Sequence, residues 1–369
     1  MLDHWIADRM GRIEASGIRT IFELGRKLKD PINLSIGQPH FPVPEPIRQA
    51  AKDAIDRGDN GYTVTQGIPE LRDRLRNDVA ARLPGQDREV LVTSGTSGAL
   101  MLALCATMNP GDEIILFDPY FVAYPHLVTL AGGTSVVLDT YPDFRIDANK
   151  VRAAITPKTK AILFSSPSNP TGACVNAETL RDLVALAREK GVLLIADEIY
   201  RSFWYGGPFR SAAEFDPNVL VLDGFGKSYG ITGWRLGYAH GPKRLIEEMA
   251  KLQQFTFVCA PAPVQHGGVA ALDFDVAPIV ADFKRKRDFV YESLQKNFAL
   301  KRPGGAFYVF PGVPRGTGTE FVQRAIEHNL LVIPGIAFGR RDTHIRVSYA
   351  ATDEKLVKGM EILNCLANS

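Results

Sequence analysis

The stretch richest in chemistry is Leu222-Asp-Gly-Phe-Gly-Lys-Ser-Tyr-Gly-Ile-Thr-Gly-Trp-Arg-Leu-Gly-Tyr238. An apolar run ends in a Gly-rich loop that presents one lysine, Lys227, with Arg235 eight residues further on. A lysine at the C-terminal edge of a parallel sheet sits where such folds place ligands. Partial burial there lowers its pKa and makes it a usable nucleophile. Two nucleotide-binding patterns fail on their glycines. Gly226-Lys227-Ser228 looks like the end of a P-loop, but GxxxxGK(S/T) needs glycine at position 221, which is Val221. Gly224-Phe-Gly226 opens a dinucleotide fingerprint, but GxGxxG needs glycine at position 229, which is Tyr229. On this loop alone, a structural turn with a surface lysine stays open. Two further stretches add candidates. Leu193-Leu-Ile-Ala-Asp-Glu-Ile-Tyr200 ends an apolar run in the carboxylate of Asp197, with Tyr200 three residues on. Ser165–Gly172 follows another such run, and its Asn169-Pro-Thr-Gly172 is a turn sequence in its own right.

These stations must be held by an alternating α/β scaffold. Glu89–Thr93, Glu113–Phe117, Thr134–Leu138, Lys160–Phe164, Val192–Ala196 and Val219–Leu222 read as strands. The last two are continuous apolar runs, as expected of strands buried on both faces. Helical spacing falls between them, at Ala99–Met108 after a small-residue loop, near Tyr124–Ala131, around Ala148–Ile155 and at Ala177–Glu189. The fold class is therefore α/β, a mostly parallel sheet with helices on both faces. Asp197, Asn169 and Lys227 then all follow C-terminal strand ends and can converge on one crevice. After Leu272 the texture changes. A long helical pattern over Val276–Phe298 precedes short strands near Phe307–Phe310, Leu331–Ile333 and His344–Ser348 and helices near Glu320–His328 and Asp353–Leu366. The expected division is a large domain over 46–272 and a smaller α+β domain built from both chain ends, 1–45 and 273–369.

Composition narrows the function classes. A net charge of +2 over 369 residues gives no reason to expect nucleic acid or an anionic membrane as partner. No segment approaches the ~18 apolar residues of a membrane span, and the early acidic residues of Met1–Met10 do not read as a signal peptide. Cys105, Cys174, Cys259 and Cys365 form no CxxC pair and are expected to be free, buried thiols in a reducing cytosol. The histidines lack metal-ligand spacing, so no metal site is expected. The run Lys284-Arg-Lys-Arg287 lies among apolar residues at helical spacing and reads as a solvated helix face.

Four motifs in order and spacing, NPTG (Asn169–Gly172), DEIY (Asp197–Tyr200), GFGKSYGITGWRLGY (Gly224–Tyr238) and HIRVSYA (His344–Ala350), resemble those of the class I/II aminotransferases, the fold-type-I pyridoxal-phosphate enzymes. The resemblance extends to Ile32–Pro39, Asn60–Thr63 and Thr93–Leu100 and so spans nearly the whole chain. It implies an aminotransferase moving an amino group between an L-amino acid and a 2-oxo acid, 2-oxoglutarate being the expected acceptor, by a ping-pong mechanism. Lys227 would carry pyridoxal 5′-phosphate as an internal aldimine and then move the α-proton. Asp197 would pair with the pyridine nitrogen, and Asn169 and Tyr200 would hydrogen-bond the phenolic oxygen. Gly95, Thr96, Ser97 and Arg235 would hold the phosphate, Phe121 would stack on the ring, and Tyr62 would reach the phosphate of a neighbouring subunit. Arg346 would grip the substrate carboxylate, with Gly37 and Asn169 assisting. The resemblance thus implies a cytoplasmic homodimer with shared active sites.

The chain departs from the family in two places. Many relatives carry serine one or three residues before the lysine; here those positions are Gly226 and Gly224, so one phosphate contact is expected to be missing. His40 stands where aspartate is common and reads as an exposed loop histidine. Competing functions are another reaction of the same cofactor, such as a C–S lyase, decarboxylase or synthase, and the ligand-sensing part of a transcription regulator. The latter carries a DNA-binding domain ahead of the aminotransferase-like part, and the substrate-loop motif is already reached at Gly37. Aspartate is the expected donor type, with Arg19 as the cation for a second carboxylate. An apolar pocket closed by Ile18 and Phe338 would instead favour aromatic donors or alanine.

Overall fold

The computed structural model describes residues 3–14, 17 and 28–369. Ile18 and Arg19 lie outside the described residues. The strands in chain order are β1 (Ile32–Asn33), β2 (Glu89–Thr93), β3 (Glu113–Asp118), β4 (Thr134–Asp139), β5 (Thr159–Ser165) and β6 (Leu193–Asp197), then β7 (Leu220–Gly224), β8 (Gly237–Gly241), β9 (Tyr308–Val309), β10 (Leu330–Leu331), β11 (Ile333–Pro334) and β12 (Ile345–Ser348). Seven of them form one sheet in the order β2-β8-β7-β6-β5-β3-β4. All neighbours are parallel except β8, which runs antiparallel to β2 and β7.

The two faces of this sheet read out the period-2 alternation of its strands. Ile115, Phe117, Ile162 and Phe164 pack on one side with the helices Pro69–Arg82 and Ala177–Lys190. Ile114, Leu116, Ala161 and Leu163 pack on the other with the helices Gly95–Thr107, Ala123–Leu130 and Lys243–Thr256. The helix Ala177–Lys190 shows why such segments form where they do. Asn176 caps it by accepting from the Thr179 N–H at 2.8 Å, and Gly191 ends it at a left-handed φ of 65°.

A third core collects Leu34 with Phe283, Phe307, Leu330, Val347 and Leu363. β1 pairs parallel with β10, while β11, β12 and β9 form a small antiparallel sheet. The single strand expected over Leu331–Ile333 is thus two, because the chain changes partner at Val332. β8 has no strand signal in the sequence: its Gly-Tyr-Ala-His-Gly has neither the apolar run nor the clean alternation of a typical strand. No described helix is long and apolar enough to cross a membrane.

Two expectations need correction. The cysteines are free, but Cys105 and Cys365 are exposed and Cys174 and Cys259 only part-buried; on its helix Cys105 points away from the buried Ala103 and Leu104. The basic run is half solvated, with Lys286 and Arg287 buried beside Phe283 and Val290. At 100° per residue these two fall on the core-facing stripe, so each needs a partner. Lys286 Nζ meets Asp282 at 2.9 Å, and Arg287 Nη1 donates to the Pro303 carbonyl at 2.7 Å. His40 is exposed yet not free, since its Nε2 lies 2.7 Å from Lys286 Nζ. Burial and the Lys286 charge lower its pKa, so the neutral ring accepts from the ammonium.

Candidate active site

Three strand ends and one helix start meet at the C-terminal edge of the large sheet. β5 leads to Asn169, β6 ends in Asp197 with Tyr200 beyond it, and β7 leads to Lys227. The helix that follows β2 begins at Gly95, four residues earlier than the sequence pattern suggests. The small-residue segment is its first turn, so the N–H groups of Gly95, Thr96 and Ser97 have no helical carbonyl to bond and point outward. From the other core come Gly37 and, on β12, Arg346. All of these, with Phe121 and Arg235, line one cavity of about 290 Å³. Tyr62 does not; it stands 87% exposed.

Two glycines let the Arg235 end of this cavity close up. Gly95 has φ +71°, and a Cβ there would lie 2.5 Å from an Arg235 guanidinium nitrogen. The guanidinium therefore lies flush against the backbone of the helix start, joining its charge to the helix dipole as an anion site. At Gly224 a Cβ would come within 2.7 Å of Thr96 Oγ1, which donates to the Asp223 carbonyl at 3.1 Å. At Gly226 the nearest atom would be 3.4 Å away, an ordinary contact. The two positions expected to lack a serine are thus unequal: the space beside Gly224 is filled by Thr96, while a Cβ at Gly226 would make only ordinary contact with Thr232.

Lys227 Nζ donates to the Gly37 carbonyl at 2.7 Å. Its pKa is lowered to about 8, chiefly by burial and then by the charges of Arg346 and Arg235, against the pull of Asp197. Asp197, 6% exposed, has its pKa raised to about 6 by burial. That rise is limited by the Tyr124 hydroxyl, which donates to Oδ2 at 2.7 Å, and by the Ile199 N–H, 3.2 Å from Oδ1. Sequence reasoning misses Tyr124, which stands in the first turn of the helix Ala123–Leu130 and meets the Phe121 ring edge-on, centroids 5.5 Å apart. Arg346 is buried, with Nη1 donating to Asn169 Oδ1 at 3.0 Å and Nη2 to the Ser35 carbonyl at 2.6 Å. Its Nε has no partner, and no carboxylate among the described residues balances its charge. The fork lies between the rings of Tyr308 and Phe338, at 4.6 and 4.7 Å from their centroids. Such a buried cation is costly unless an anion joins it. Tyr308 is missed as well; nothing marks it within the apolar strand that carries it. No group of side chains suited to a metal ion occurs among the described residues.

A sequence model of the family described as "Aminotransferase class I and II" matches residues 29–362. A Methanocaldococcus jannaschii protein named "Probable aspartate aminotransferase" is 38% identical over 371 residues, 97% of this chain and 98% of that protein. The crystal structure of aspartate aminotransferase from Thermotoga maritima matches with a TM-score of 0.94 at 33% identity, covering 99% of this chain and 100% of that one. Aspartate aminotransferase from Thermus thermophilus with maleate gives 0.92 at 34% identity, covering 98% and 99%.

Proposed function

This chain belongs to the class I and II aminotransferases and transfers amino groups; we propose that it does so with pyridoxal 5′-phosphate held at the Lys227 cavity and with aspartate as the preferred donor. The observation that carries the cofactor reading is a set of groups sharing one cavity. They are a lysine with a lowered pKa, a carboxylate buried against Tyr124, and a helix start overlaid by Arg235. Each matches one end of that cofactor. The N–H groups of Gly95, Thr96 and Ser97 and the Arg235 guanidinium suit its phosphate, and Phe121 offers a ring to stack on. Asp197 suits the ring nitrogen, Asn169 and Tyr200 the phenolic oxygen, and Lys227 the aldehyde. When bound, pyridoxal phosphate supplies an electron sink for charge developing at the amino acid's α-carbon.

The remaining work falls to the chain. Arg346 orients the amino acid through its carboxylate, assisted by Asn169 and the Gly37 backbone. Lys227, neutral above about pH 8, is the base that takes and returns the α-proton. Asp197 would hold a negative charge at the ring nitrogen and so favour its protonated form. Residues 46–272 are proposed as the cofactor domain, and 1–45 with 273–369 as the second domain. The β1–β10 pairing and the place of Leu34 among the C-terminal core residues support that division. Unpaired cysteines support a reducing, cytoplasmic setting.

The aspartate reading rests on the relatives' names and on the dicarboxylate maleate in the Thermus complex. Its test is kcat/KM for aspartate, alanine and phenylalanine with 2-oxoglutarate, where aspartate is expected to lead by about tenfold or more, the discrimination a buried unpaired group provides. A clear lead for phenylalanine would replace aspartate by an aromatic donor and leave the transfer reading in place.

A homodimer is proposed on the exposed Tyr62, Val64, Phe255 and Phe257, large apolar side chains that a partner subunit could cover. Sedimentation at assay concentration is expected to give a dimer. Tyr62→Phe, which removes one hydrogen bond to a charged group, is expected to weaken cofactor affinity by about tenfold. A fully active monomer would overturn both statements.

A further inference from the structure

Tyr308 has no assigned part in the site, yet it touches three of its stations. Its hydroxyl lies 2.9 Å from that of Tyr200. Its ring lies under the Arg346 fork, with Cζ 4.6 Å from the centroid. The hydroxyl also fills the space beside Gly37, where a Cβ would come within 2.3 Å of it, and the Gly37 carbonyl holds Lys227. Tyr308 itself is fully buried. β9 and β12 are antiparallel, with Val347 opposite Val309 and Ser348 opposite Tyr308, so the residue and Arg346 are held on adjacent strands.

We infer that Tyr308 is a positioning residue: its hydroxyl orients and strengthens the Tyr200 hydroxyl as a donor, while its ring seats the Arg346 guanidinium. The inference rests on the proposed place of Tyr200 beside the phenolic oxygen of pyridoxal phosphate. A phenol carries one proton. With an anionic oxygen in the cavity, Tyr200 spends its proton on that oxygen and must accept from Tyr308. A hydroxyl that accepts one hydrogen bond becomes a stronger donor of the next. The Tyr308 ring meanwhile offers its negative face to the guanidinium, which orients the carboxylate fork without competing for its N–H groups. One side chain therefore governs both the substrate's carboxylate seat and the proton at the Tyr200 oxygen.

The experiment separates the two halves of the side chain. The pH midpoint of the holoenzyme's visible absorbance is measured in the parent, Tyr200→Phe and Tyr308→Phe, and KM and kcat for the amino donor in the parent, Tyr308→Phe and Tyr308→Leu. A donor to the phenolic oxygen favours its anionic form, so weakening that donor moves the midpoint upward. Tyr308→Phe is expected to raise it by about 0.3–1 unit, in the same direction as Tyr200→Phe and by less, with KM within about twofold. Tyr308→Leu, which also removes the ring, is expected to raise KM by about fivefold more. Phenylalanine keeps the aromatic packing, so the midpoint readout survives even where the leucine variant does not fold. If Tyr200→Phe shifts the midpoint and Tyr308→Phe does not, the inference is wrong while the site reading stands. If neither shifts it, the placement of Tyr200 is wrong and the inference falls with it.

Discussion

Lys227→Ala is expected to lower amino-group transfer on the order of 10⁴-fold while leaving the fold intact. On the proposed reading the lysine would be at once the amine that holds the cofactor's aldehyde and the base for the α-proton, and among the described residues no other lysine lines the cavity. Its environment prepares it for both tasks. With a pKa of about 8, about a quarter of the amine is neutral at pH 7.5, against about one part in a thousand for an ordinary lysine. The pKa is depressed, so nucleophilic capacity grows as pH rises through about 8 and is lost below it. Cofactor-free protein should therefore capture pyridoxal phosphate faster as pH rises from 6.5 to 8.5, with borohydride fixing the cofactor to Lys227. Fixation on a different lysine, or a capture rate indifferent to pH, would overturn the assignment.

The second large effect is at Asp197. Asp197→Ala is expected to cost about 10³-fold in turnover, because on the proposed reading the carboxylate would pair with the ring nitrogen, and a close ion pair contributes about 4 kcal/mol at the effective dielectric of such sites. Stability should change little, and the sign of the linkage explains why. Burial raises the Asp197 pKa from 3.8 to about 6. Between those values the folded protein holds a proton that the unfolded chain releases, so stability falls as pH rises across that window. Above it the ionised carboxylate weighs against the fold. Removing the side chain relieves that penalty but leaves the Tyr124 hydroxyl without its partner, and the two effects oppose one another. The measurement is kcat together with Tm. Near-normal turnover in a folded variant would show that the ring nitrogen does not depend on this carboxylate.

Much of the site is legible in the order of the residues alone. Lys227, Asp197 and Asn169 each follow a buried strand, and such strands announce themselves as short continuous apolar runs. Those signals are local: they record what the backbone must do within a few residues. Local signals also have limits inside their own range. The helix at Gly95 reads as starting four residues late because Gly-Thr-Ser-Gly has the composition of a loop, while in the structure it forms the first turn of the helix. The basic run reads as solvated because charge usually stays in water; its helix rotates Lys286 and Arg287 inward, where Asp282 and the Pro303 carbonyl receive them.

The sequence by itself determined the scaffold and the kinds of chemistry available at its strand ends, since hydrophobic periodicity and turn glycines are set by neighbouring residues. Only the tertiary structure decided which of those groups act on one another. Tyr124 reaches Asp197 across 73 positions of chain, Tyr200 meets Tyr308 across 108, and Arg346 meets Asn169 across 177. Those hydrogen bonds set the donor directions and much of the charge balance in the cavity. They join residues far apart in the chain that only the folded arrangement brings together, so no pattern within a short window of sequence records them.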